Sequence, residues 1–211
     1  MKLQIAAAAV LIASSIRADA QVVHTSSFIS GGYFNDFETM PNAIPSYTAY
    51  SKGGITAMYI GVASDGVQST YLHNGTRGWY PGGDVRGYTS LTLTGGGTFS
   101  DVEFAAGDGW GGGSSLFYQM LLSGNVVATG LATNLPAGLS TVGFSGVTMD
   151  ELRVQSGFMT QFAPTNDEAL ALDDVHIAGD STPTPEPATL GLLSLGLAAV
   201  AFTRRHKRTT R

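Results

Sequence analysis

The chain has 211 residues, no cysteine, 28 glycines and only 13% charged residues. These numbers exclude disulfides, thiolate metal sites, thiol nucleophiles and a coiled coil, and leave room for one domain of roughly 165 residues between two unusual ends. Charge is uneven: residues 21–185 carry four basic and fourteen acidic side chains, a net of −10, which disfavours nucleic acid, whereas five of the eleven basic residues lie between Arg204 and Arg211.

Met1-Lys2 is followed by an apolar stretch from Leu3 to Ile16 and then by Ala18-Asp19-Ala20. A charged start, a short apolar core and an A-x-A site predict a cleaved signal peptide over residues 1–20, with the mature chain starting at Gln21. The apolar core is too short to span a membrane.

The body, residues 21–180, is predicted all-β, a β-sandwich or jelly roll, because short alternating apolar runs are punctuated by glycine-rich turns and no segment keeps a 3.6-residue period. Val67 to Leu72 reads as a strand that turns at His73-Asn74-Gly75-Thr76, where Asn-Gly accepts the positive φ of a tight hairpin. Tyr88 to Thr94 places Leu91 and Leu93 on one face, and Thr98 to Phe104 does the same for Val102 and Phe104. Ser115 to Leu122 and Asn125 to Thr129 flank Ser123-Gly124, a second hairpin signal. Val147 to Gln155 puts Leu152 and Val154 together, and Ala169 to Ile177 closes the body. About eight strands are expected at this spacing.

Several body residues invite a chemical role. Phe37-Glu38 near the start and Leu172-Asp173-Asp174-Val175 at the end form a pattern that resembles carbohydrate-binding-module jelly rolls of the galactose-binding-like kind. That resemblance implies first and last strands lying near each other and a shared structural calcium. Glu38, Asp173 and Asp174 are the candidate ligands, with Asp36 as a spare, since calcium takes several hard oxygens. No cofactor is required. Trp79 in Trp79-Tyr80-Pro81-Gly82-Gly83-Asp84 and Trp110 in Gly107-Asp108-Gly109-Trp110-Gly111 are candidate glycan-stacking residues on glycine-rich loops. Catalytic residues are not expected. Gly143-Phe144-Ser145-Gly146 fails the nucleophile-elbow spacing, and His24, His73 and His176 have no partner at metal-ligand spacing.

The C-terminal end begins with a proline-punctuated linker, residues 181–187, containing Pro185-Glu186-Pro187. Ala188 to Thr203 follows as sixteen uncharged residues, about 24 Å as a helix against a hydrocarbon core of about 30 Å. Arg204, Arg205, Lys207 and Arg208 can snorkel to the headgroups and offset part of that deficit. A transmembrane segment over residues 188–203 with a basic cytoplasmic tail over residues 204–211 is therefore predicted, and the positive-inside rule agrees with the signal peptide in placing the body outside. Pro-Glu-Pro, a short span and an arginine-rich end in that order resemble the PEP-CTERM sorting signal. The resemblance implies recognition of Pro185, Glu186 and Pro187 by an exosortase, removal of the tail, and a bacterial host that makes exopolysaccharide.

Three functions compete. The first is a non-catalytic surface or extracellular-matrix protein, transiently anchored in the inner membrane and associated with exopolysaccharide. The second is a glycan-binding jelly-roll module. The third is a secreted hydrolase, supported only by the abundance of carboxylates.

Overall fold

A computed structural model describes residues 22–69, 77–82, 85–107, 114–135, 138–156 and 170–180. The predicted signal peptide, the Asn74-Gly75 turn, Trp110, the Pro185-Glu186-Pro187 motif and the apolar span over residues 188–203 lie outside them. Among the described residues no helix is long and apolar enough to cross a membrane.

Fourteen strands occur among the described residues: β1 (Val22–His24), β2 (Tyr33–Asn35), β3 (Ala43–Ile44), β4 (Tyr50–Lys52), β5 (Ile55–Ala63), β6 (Val67–Gln68), β7 (Tyr80–Pro81), β8 (Val85–Leu93), β9 (Thr98–Gly107), β10 (Ser114–Leu122), β11 (Asn125–Leu135), β12 (Ser140–Ser145), β13 (Glu151–Ser156) and β14 (Ala171–Asp180). They form a five-stranded sheet in the order β1-β12-β9-β14-β2, a six-stranded sheet in the order β11-β10-β13-β8-β5-β4, and a small sheet β3-β6-β7. Every pairing is antiparallel, as tight turns and alternating side chains require. The architecture is an all-β sandwich.

The two large sheets share one core. Val102 and Phe104 of β9 and Phe144 of β12 face Leu91 of β8, Tyr118 of β10, and Leu152 and Val154 of β13, all buried. The rings of Phe144 and Tyr118 meet across the sheets at 4.5 Å, tilted by 48°. Such aromatic contacts add about 0.5–1.5 kcal/mol beyond their area. The Ser123-Gly124 turn has φ of 52° and 77°, the positive pair of a type I′ hairpin, and Asp150 accepts the Ser123 N–H at 2.7 Å.

The strands depart from the sequence reading in three places. The largest omission is β5, nine residues whose alternation buries Ile55, Ala57 and Tyr59 and makes it an interior strand of the larger sheet. The segment expected to begin at Val147 becomes a ladder only at Glu151: Met149 instead bridges to Phe99 of the other sheet, and Asp150 caps the β10–β11 turn. The short strands β1, β2, β3, β4 and β7 give too few alternations to register as periodic, and tertiary pairing alone defines them.

The first described residues strap the outer face of the five-stranded sheet. Glu103 of β9 points away from the core yet is only 3% exposed, because Ser27, Phe28 and Ile29 cover it. Its carboxylate accepts the Ser27 hydroxyl at 2.7 Å, the Phe28 N–H at 2.7 Å and the Ile29 N–H at 3.0 Å. The Phe28 ring stacks on His24 at 3.9 Å and lies over Gly143, where any Cβ would collide with it.

Candidate functional site

Residues 35–40 form a turn that brings the first acidic group to the last strand. Asn35 Oδ1 accepts the Phe37 N–H at 3.0 Å, Asp36 Oδ1 accepts the Glu38 N–H at 3.1 Å, and Phe37 O accepts the Met40 N–H at 2.9 Å. Phe37 has φ of 55° although its side chain is fully buried. Val175 of β14 pairs with Asn35, so Asp173 and Asp174 lie at the same end as this turn. Asp174 also has positive φ, 47°, where the β14–β9 register shifts, and its N–H is accepted by Asp173 Oδ1 at 2.9 Å. Two strained non-glycine residues thus converge on one place, at a cost of about 1–3 kcal/mol each that the surrounding packing must offset.

Cations attend these acids. Lys52 Nζ pairs with Asp36, and desolvation of that carboxyl is outweighed by this bond and the Glu38 N–H, which together hold it below its ordinary value. Arg77 donates its backbone N–H to Glu38 Oε1 at 3.2 Å and its guanidinium Nη1 to the Met40 carbonyl. Among the described residues no group of three or more His, Asp or Glu side chains is placed to hold a metal.

Trp79 belongs to the core and not to a loop rim. It is fully buried, its backbone exchanges two hydrogen bonds with Leu172 at 2.8 and 2.9 Å, its indole N–H reaches Thr89 Oγ1 at 3.0 Å, and its ring lies 5.7 Å from that of Phe37. A ring enclosed on both faces cannot stack on a sugar. Trp110 lies outside the described residues.

Two open grooves mark the surface. The first, about 660 Å³, is lined by Ile44, Pro45, Ser46, Val62, Asp65 and Gly66 among others. Tyr47 follows Ser46 there with φ of 63° and is 64% exposed, while its N–H is held by Tyr59 O at 2.8 Å. Ser46 Oγ is buried with no hydrogen-bond partner. The groove carries the Asp65 carboxylate, and the exposed Tyr47 ring follows its Ser46 lining in sequence. No aromatic periodicity marks Tyr47 in the sequence; only Pro45-Ser46-Tyr47 as a turn signal could have pointed to it. The second groove, about 580 Å³, runs beside the strap along Phe28, Gly31, Gly32, Tyr33, Asp101 and Gly179. Tyr59, whose buried hydroxyl has no partner, is kept protonated: desolvation first and the Tyr47 phenol second push its pKa up.

A serine–histidine contact occurs in the Gly143-Phe144-Ser145-Gly146 segment. Ser145 Oγ lies 2.8 Å from His24 Nε2 across the β1–β12 pair. Neither residue lines the two grooves.

The family model of the PEP-CTERM protein-sorting motif matches residues 183–205. None of the curated proteins matches the chain. Among solved structures, the body is similar to the CBM32 of AlyQ in complex with 4,5-unsaturated mannuronic acid, at 14% identity over 62% of this chain and 98% of that one, with a TM-score of 0.38. It is also similar to the family 32 CBM from C. perfringens NanJ in complex with galactose, at 16% identity over 61% and 98%, with a TM-score of 0.37.

Proposed function

We propose that this chain is exported, held briefly in the inner membrane by residues 188–203, released by an exosortase, and used as a non-catalytic protein of the cell surface or extracellular matrix. The sorting motif over residues 183–205 carries this reading. The apolar run and the arginine-rich end supply the physics of a transient anchor, with the body outside and the basic end inside. Replacing Glu186 by alanine in the full chain, expressed in its own host, is expected to leave it in the inner-membrane fraction at its uncleaved mass, while the unaltered chain loses its tail and leaves that fraction. Processing unchanged by Glu186→Ala, or a tail still present on the surface-exposed protein, would overturn the reading. Turnover of a polysaccharide or ester that disappears with Ser145→Ala would overturn its non-catalytic part.

The groove lined by Ser46 and Asp65, with the exposed Tyr47 next in sequence, supports a second reading, in which the delivered body also holds a polysaccharide. A phenol ring offers a flat apolar face to a sugar, and Asp65 can accept from hydroxyls. Tyr47→Ala is expected to reduce binding on an acidic- and neutral-glycan array at least about tenfold, the size of one lost aromatic contact of about 1.4 kcal/mol, with the melting midpoint little changed. Binding that survives Tyr47→Ala would place the glycan elsewhere, and no binding to any glycan would sink this reading while leaving the sorting proposal intact.

A further inference from the structure

We infer that Arg77, whose amide holds Glu38 and whose guanidinium holds the Met40 carbonyl, ties the strained 35–40 turn to the end of β14 without the calcium that the resemblance to galactose-binding-like jelly rolls implies. Four oxygens around the turn already accept from N–H donors. The Met40 carbonyl accepts from Arg77 Nη1, Glu38 Oε1 from the Arg77 amide, Asp36 Oδ1 from Lys52 Nζ and the Glu38 amide, and Asp173 Oδ1 from the Asp174 amide. Calcium takes six to eight oxygen ligands and competes with these donors for them. Here two of the donors carry full positive charge.

Backbone pairing puts Arg77 in position to act. It lies two residues before Trp79, which bridges antiparallel to Leu172, and Asp174 lies two residues after Leu172. The Trp79–Leu172 bridge therefore anchors the Arg77 segment to β14, while the two bonds donated by Arg77 hold the 35–40 turn. A guanidinium stays charged at any working pH, so it holds the Met40 carbonyl as a cation would while the Arg77 amide holds Glu38. The convergence of Phe37 and Asp174, both at positive φ, supplies the strain that such a tie must hold down.

The test uses the full chain in detergent micelles. The thermal midpoint of the unaltered protein is expected to be the same in millimolar calcium and in EDTA. Arg77→Ala is expected to lower it by about 4 °C or more, and calcium, but not magnesium or sodium chloride at matched ionic strength, is expected to recover part of that loss. Terbium, a calcium surrogate, gives a second readout: emission sensitised by Trp79 is expected to appear with Arg77→Ala or Arg77→Gln and not with the unaltered chain, and Arg77→Gln serves if the alanine variant does not fold. A midpoint of the unaltered chain that rises with calcium, an Arg77→Ala midpoint equal to the original, or a loss that calcium does not recover would each overturn the inference.

Discussion

Truncating Trp79 to alanine is expected to destabilise the body by about 3–5 kcal/mol, the largest effect of any single substitution proposed for this chain. The indole is fully enclosed, so its removal leaves a cavity between Phe37 and the six-stranded sheet that the neighbouring strands can only partly refill. It also leaves the Thr89 hydroxyl without its donor. A domain of this kind has roughly 5–15 kcal/mol in total, so the variant should unfold at a clearly lower urea concentration with little change in slope. Trp79→Phe keeps most of the volume and should lose less. A Trp79→Ala midpoint close to that of the unaltered chain would show that the ring is not part of the core. The same experiment separates packing from recognition, because glycan binding is expected to follow Tyr47 instead.

Glu103→Gln is expected to cost about 1.5–3 kcal/mol and to remove much of the acid sensitivity of the body. Desolvation raises the Glu103 carboxyl pKa, but the Phe28 amide, the Ser27 hydroxyl, the Ile29 amide and the nearby His176 outweigh it and hold the value below the ordinary 4.5. A depressed carboxylate contributes stability that is fully present above its unfolded pKa and is lost as pH falls through its folded pKa. Stability should therefore be flat near neutrality and decline from about pH 4.5 downward as the strap over residues 27–29 loses its acceptor. In Glu103→Gln that decline should be shallower, because the group no longer titrates. Urea midpoints across the acid range read this directly. An acid limb identical in both proteins would assign the sensitivity to other carboxylates.

Much of the fold was legible because burial repeats with period two. Leu91 with Leu93, Val102 with Phe104 and Leu152 with Val154 share a face by spacing alone, and all six are buried. Ser123-Gly124 announced its own turn through local backbone preference. β5 was equally periodic in Ile55, Ala57 and Tyr59, but Gly61 and the flanking Gly53-Gly54 obscured it. The glycine at 61 is needed there: it pairs with Gly87 of β8, and a Cβ on either would strike the opposite backbone. The candidate site was less legible. Composition marked Trp79 as unusual but could not say whether its face was free. Tyr47 carried no signal beyond a turn, since exposure and positive φ are properties of its surroundings.

By itself the sequence determined the sorting motif over residues 183–205, the all-β class of the body and the residues available to it. A sorting motif, an apolar run and a block of arginines act through local order along the chain, so their meaning does not wait on folding. The tertiary structure decided which of those residues meet. It turned Trp79 inward, set Glu103 under the strap, and brought Arg77 to the turn carrying Glu38, 39 positions away. The physical reason is that side-chain direction follows from local period, whereas contact and charge compensation depend on strand order and register. In an antiparallel sandwich these are fixed by pairings between residues far apart in the chain.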